Sequence, residues 1–139
     1  MTPLIEKRLL QTAIVLGGAF SLFFASASVI EGVNVLAPGD PGANVNLDSH
    51  FRYLSGIFLG VILAFYSCVP DIESKGPRFR LVGAFVVCGG LARLIGLLVH
   101  GVPGQGHLYG LGMELFVTPM LMLWQARIAR RSVLAPSSA

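Results

Sequence analysis

Apolar residues along this chain gather into four long runs, at 9–30, 51–69, 79–99 and 108–125, separated by stretches rich in Gly, Pro and charge. Each run is close to or above the roughly 20 helical residues that cross a bilayer's hydrocarbon core. Runs of this length predict helices and not strands, at about 9–31, 51–69, 79–100 and 107–127. The pattern therefore predicts an all-α fold, a four-helix transmembrane bundle that fills residues 1–131 as one domain, with 132–139 as a disordered tail. Small residues repeat every fourth position in the first helix (Gly17, Ser21, Ala25) and the second (Gly56, Gly60, Ala64). Such stripes let helices approach closely, so both are expected to serve packing within a compact bundle.

The start of the chain imitates a secretory leader: Lys7 and Arg8 precede an apolar core, and Ala25-Ser26-Ala27 resembles a cleavage site. The run is longer than the roughly 7–15 residues of a leader's apolar region, so it reads as a retained first helix.

Between the runs, polar residues mark turns. The first connection, 32–49, is long and punctuated by Pro38-Gly39-Asp40-Pro41-Gly42, and it is expected to fold over the outer mouth of the bundle. Asp48 or Ser49 is the expected N-cap of the second helix. The second connection, 70–77, is short, charged and read as a solvated turn. In the fourth helix Pro119 lacks an N–H to give the carbonyl of Leu115, which predicts a kink beside Glu114. Trp124 near one boundary, with Tyr53 and Tyr109 near the other, fits interfacial aromatic belts.

Composition sharpens the class. Only 12% of the 139 residues are charged, against about 25% in soluble domains, and the mean hydropathy is +0.74. Eight of the ten Lys and Arg fall at Lys7 and Arg8, at Lys75, Arg78 and Arg80, and at Arg127, Arg130 and Arg131. Four spans put these three places on one side, and the positive-inside rule makes that side cytoplasmic, giving N-in, C-in in a bacterial inner membrane. The formal charge of +3 is thus a topology and headgroup signal. No nucleic-acid motif accompanies it, and no nucleic-acid partner is expected. Cys68 and Cys88 form no CxxC pair and are not expected to bridge.

Two charges interrupt the apolar runs. Arg93 lies seven residues before His100, and Glu114 seven residues after His107. At 1.5 Å per residue both sit roughly 10 Å below the turn that joins the third and fourth helices. They are level on neighbouring antiparallel helices, with each histidine nearly two turns above its charge on the same face. An intramembrane charge is costly unless paired, so Arg93 and Glu114 are expected to pair. The pair alone is a scaffold; the polar residues around it, His50, Arg52, His100, His107 and Glu31, suggest more. Arg52 either snorkels to the interface or faces inward, and Glu31 is either a solvated helix end or part of the site. Together these residues predict an outward-facing polar pocket, with Gly89, Gly90 and Gly96 leaving room beside Arg93.

The chemistry of the cluster is open. No HExxH or ExxH spacing is present and an arginine opposes a cation, so no metal is expected. Haem is disfavoured because His100 and His107 flank the turn and no CxxCH occurs, and no other cofactor is implied. Neither GxSxG nor a phosphate-binding loop appears. No catalytic residue stands out.

At Ser49-His50-Phe51-Arg52-Tyr53-Leu54-Ser55-Gly56, Pro70-Asp71-Ile72-Glu73, Gly90-Leu91-Ala92-Arg93-Leu94 and His100-Gly101-Val102-Pro103 the chain resembles the bacterial family catalogued as domain of unknown function 4345, over roughly residues 9–127. The resemblance implies a four-helix inner-membrane protein, similar in layout to DoxX-type membrane proteins. It carries over no activity, substrate or catalytic residue.

Three functional readings follow. The first is a pocket that binds a lipophilic molecule or a lipid by its polar head, with Arg52 and Arg93 on the head, Glu114 orienting Arg93, and His50, His100 and His107 at the entrance. The second is an accessory subunit packed against a larger membrane complex. The third is an enzyme that moves protons through Glu114 or a histidine.

Overall fold

The computed structural model describes residues 2–39 and 44–134. Helix α1 spans Pro3–Glu31, with Pro3 at its first position, where a missing N–H costs nothing. It ends at Gly32 (φ 65°, ψ −144°) and runs into a short 3-10 turn, Gly32–Val35. Helix α2 spans Val45–Tyr66 and α3 spans Gly76–His100, the latter ending at Gly101 with φ 91° two residues before Pro103. The fourth rod is continuous but changes pitch. Its α4 segment, Gln105–Gly112, passes through a π-turn at Met113–Val117 into α5, Thr118–Leu134. The four rods close a ring in which α1 packs on α2 and α5, and α3 on α2 and α5.

Several boundaries differ from the sequence expectation. Helix α2 starts at Val45, and its N-cap is Asn44, whose side chain accepts from Asn46 N–H at 2.8 Å. Asp48 and Ser49 lie inside the helix instead. A hydropathy window counts this polar first turn as loop, whereas the cap makes it helix. The loop expected at 32–49 shrinks accordingly. Its turn residues Asp40, Pro41 and Gly42 lie outside the described residues, and with them the middle of the expected cover of the outer mouth. At the other end the tail expectation at 132–139 gives way to helix as far as Leu134; residues 135–139 lie outside the described residues. At Pro119 the fourth rod carries a π-turn one turn ahead of the proline. The missing hydrogen bond is absorbed by the π-turn, where Thr118 N–H reaches Met113 O and Thr118 Oγ1 donates to the same oxygen at 2.9 Å.

Pro3–Val35, Val45–Tyr66 and Gly76–His100 are long and apolar enough to cross a membrane. The fourth rod falls outside that description because the π-turn divides it and α5 carries Gln125, Arg127, Arg130 and Arg131. The surface matches an apolar solvent: Leu16, Phe20, Phe23, Leu98, Phe116 and Leu123 are all exposed.

The packed core is lopsided. Leu10, Ile14, Cys68, Ile72, Phe79 and Ile128 form one buried cluster at the end where the 67–75 connection meets both chain ends. Phe65 and Phe79 meet edge to face there, 4.8 Å apart. Buried polar side chains tie off this end. Gln11 donates to Val69 O at 2.6 Å, and the fully buried Gln125 donates to Ile72 O at 2.8 Å, so two helices satisfy the carbonyls of the connection. Glu6, 7% exposed at its side chain, bridges Arg127 and Arg131 from the opposite end of the chain. Lys7 pairs with Glu73 at 2.6 Å. These contacts put both chain ends and the 67–75 connection at one pole, here termed the basic end.

The Lys7–Glu73 pair carries a pH prediction. Burial pushes the Glu73 carboxyl up, but the Lys7 hydrogen bond, a backbone hydrogen bond and the Lys7 charge outweigh it, so Glu73 stays below its ordinary value. A carboxyl depressed in the folded state contributes stability that is present above its unfolded value, about 4.3 for Glu, and lost as pH falls through the folded value. Melting temperature in a fixed detergent should therefore fall more steeply for wild type than for Glu73→Gln below about pH 4. Parallel acid limbs would show that the pair contributes nothing.

The small-residue stripes divide. Ala25 is buried, and a Cβ on Gly17 would stand 3.4 Å from Met113 Cε, so the α1 stripe packs as expected. On α2, a Cβ at Gly56 or Gly60 would meet nothing within 4 Å, and both positions point away from the other rods. Rotation of α2 is set by Ser55 and Ile62, its buried residues, which face inward in their place.

Candidate functional site

At the far end, opposite the basic end, α3 and the π-turn approach closely. A Cβ on Gly90 would lie 2.7 Å from Leu115 Cδ2 and 2.8 Å from Glu114 Cβ, so only glycine permits this spacing. One turn further along α3, Arg93 reaches across. Its Nε donates to Glu114 Oε2 at 3.0 Å and its Nη2 to Glu114 Oε1 at 3.1 Å, a two-pronged pair. Its Nη1 lies 2.9 Å from His107 Nδ1. A guanidinium only donates, so Nδ1 accepts and the imidazole proton sits on Nε2. The guanidinium passes over Gly110, one turn past His107, where a Cβ would make an ordinary contact of 3.7 Å with Arg93 Cζ.

The pair is unequally covered: the Glu114 side chain is 11% exposed and that of Arg93 35%. Glu114 sits inside the π-turn, which widens the helix and turns its carboxylate toward α3. Single π-turns of this kind are frequent where a helix carries a functional group. Three of Arg93's five N–H groups are engaged by Glu114 and His107. The rest remain for another acceptor.

The other residues expected at the site are elsewhere. Arg52 pairs with Asp48 at 2.7 Å and donates from Nη1 to Val29 O and Ile30 O at 2.8 and 2.6 Å. It caps the C-terminus of α1, where carbonyls lack helical partners and the helix dipole is negative. The inward-facing reading of Arg52 is thereby replaced by a structural one. Glu31 is the exposed last residue of α1, His50 is exposed in α2, and His100 is the exposed last residue of α3. The seven-residue offset places His100 over Arg93 in angle, but Arg93 extends toward α4 and meets His107 alone. Of the three glycines expected to make room, Gly90 meets its neighbours, while Gly89 and Gly96 face open space. Among the described residues, no three of His, Cys, Asp and Glu converge as a metal site.

Glu6, Gln11 and Gln125 are among the buried polar residues that sequence reasoning missed. Glu6 sits beside Lys7 and Arg8 and reads as part of a solvated end, although its partners lie more than 120 residues away. Gln125, flanked by apolar residues on a helix, was the one legible signal.

A model of the family described as Domain of unknown function (DUF4345) matches residues 9–125. No curated protein and no solved structure matches the chain.

Proposed function

The chain belongs to the domain of unknown function 4345 family, and from that premise we propose that it is a small integral protein of the bacterial inner membrane whose Arg93–Glu114–His107 centre holds the polar head of a lipophilic molecule. The observation that carries this reading is the Arg93 side chain, a third exposed and with N–H groups to spare. Glu114 fixes Arg93 with both oxygens, and the free N–H groups of Arg93, together with His107 Nε2–H, form a donor-rich surface on an apolar bundle. A quinone carbonyl, a fatty-acid carboxyl or a lipid headgroup has the accepting oxygens to meet it. Proton transfer by Glu114 finds less support, since both of its oxygens already accept from Arg93.

The double variant Arg93→Met/Glu114→Leu tests the reading. It should fold, yet lose a far-end lipophile that copurifies with wild type, together with any rise in melting temperature caused by adding that molecule. A folded double variant that keeps both would reduce the pair to scaffold.

A second reading, an accessory subunit, draws on the open Gly56–Gly60 face of α2, where small residues suit close approach by a helix of another chain. Native mass spectrometry of protein gently extracted from its own membrane separates the two: bound lipophile for the first, a stable protein partner for the second.

The basic end is proposed to be cytoplasmic, with the site opening toward the periplasm. Cys68 is buried and Cys88 lies on the exposed middle of α3, within the membrane-crossing stretch, so Lys75→Cys supplies a single water-facing thiol. It should resist a membrane-impermeant maleimide in intact spheroplasts and react after lysis. Labelling before lysis would invert the topology.

A further inference from the structure

A groove of about 540 Å³ runs between α1 and the end of α2 at the basic end, remote from the Arg93 centre. Its α1 wall is one helical stripe: Arg8, then Gln11 and Thr12, then Val15 and Leu16. Polarity falls along that stripe from cation through hydrogen-bonding groups to hydrocarbon over roughly 12 Å. The floor is built. Gln11 is held by Val69 O, and Tyr66 donates to Val15 O at 3.0 Å. Its hydroxyl lies in the notch left by Gly18, where a Cβ would come within 2.8 Å of it. Arg8 stands at the polar mouth. Among the described residues it has no carboxylate partner, unlike Lys7, Arg127 and Arg131 but like Arg78, Arg80 and Arg130, which do not line the groove, and its side chain donates to Gln11 Oε1 at 3.3 Å.

We propose that this groove seats one anionic phospholipid of the leaflet at the basic end, its phosphate on Arg8 and an acyl chain along Val15 and Leu16. The order of groups on the stripe matches the order in the lipid: charged head, polar linkage, chain. A water-soluble anion has no use for the apolar half, and a zwitterionic lipid gains less from an unpaired arginine. Basic pockets between membrane helices on the cytoplasmic side bind anionic headgroups for the same reason.

The full-length protein in detergent is titrated with phosphatidylglycerol or phosphatidylcholine of identical chains, and bound lipid is counted by native mass spectrometry. Wild type should prefer phosphatidylglycerol, and Arg8→Gln should cut that preference about fivefold. Arg130→Gln, which removes a basic-end charge outside the groove, should leave it unchanged. Val15→Trp should lower occupancy by both lipids, and Leu16→Trp, at a more exposed position, repeats that test should the first variant fold poorly. Arg93→Met/Glu114→Leu should retain phosphatidylglycerol binding, which separates this site from the far-end one. Equal binding of the two lipids by wild type, an equal loss in Arg130→Gln, or full occupancy in the groove-filling variants would each overturn the proposal.

Discussion

Arg93→Met alone is expected to destabilise the bundle by about 3–5 kcal/mol, because it leaves the Glu114 carboxylate buried without its partner. Glu114→Leu should cost less, about 2.5–3.5 kcal/mol. The asymmetry follows from geometry. Glu114 is the shorter and better covered partner and is held inside the π-turn, whereas Arg93 is a third exposed and roughly 10 Å from the helix end. A freed arginine can therefore snorkel toward the interface. Removing both charges should restore most of the loss, since no unpaired charge remains and two apolar side chains fill the space. The four proteins compared by unfolding in one detergent thus give a coupling free energy that approaches the sum of the two single effects. A double variant whose loss equals the sum of the two single losses would mean that Glu114 and Arg93 act through other partners, and would remove the pair from the account of the site.

That pair was legible in the sequence because depth is legible. A rise of 1.5 Å per residue places Arg93 and Glu114 at one level as soon as the turn between them is located. Rotation about the helix axis is not read so directly. Seven residues are nearly two turns, which sets His107 on the side of Glu114 and His100 over Arg93, but a shared face does not make a contact, and Arg93 bonds to His107 and not to His100. His100 closes α3, while the Arg93 side chain leans across to the next helix. What decides such cases is the packing between rods, and here a single glycine, Gly90, brings α3 against the π-turn and aims Arg93 at Glu114.

Arg52 shows a second limit. As an arginine at a membrane boundary it fits both a binding site and a cap, and the sequence around it contains both kinds of partner. The deciding feature is that α2 begins at Val45, which puts Asp48 one turn before Arg52 and leaves the two to clasp the end of α1. Pro119 is a third case. A proline inside a helix announces a lost hydrogen bond, but how the chain repairs the loss depends on its neighbours. Thr118, immediately before it, reaches Met113 O with both its N–H and its hydroxyl, and the helix widens. The basic-end network was the least legible of all, since Glu6 finds its partners only when the first and last helices are side by side.

Gly32→Ala is expected to cost about 3–5 kcal/mol, from backbone strain together with lost charge-assisted hydrogen bonds. Gly32 has φ 65° and ψ −144°, a conformation that L side chains rarely adopt, and it turns the chain out of α1. A Cβ there would overlap Asp48 Oδ1 and stand 2.6 Å from Arg52 Nη2. The substituted side chain must therefore displace the clasp. Asp48 would lose its contact with Val33 N–H, now 2.9 Å, and Arg52 would be drawn off the carbonyls of Val29 and Ile30. Gly56→Ala is the contrasting case: it lies mid-helix with nothing within 4 Å, so alanine should be neutral or add about 0.5–1 kcal/mol of stability. Asp48→Ala combined with Arg52→Ala, which removes both halves of the clasp without straining the backbone, separates the two contributions. In that background Gly32→Ala should cost only the strain, about 1–3 kcal/mol. The same penalty with and without the Asp48–Arg52 clasp would show that the clasp adds nothing to the cost and that backbone conformation alone makes glycine necessary at position 32.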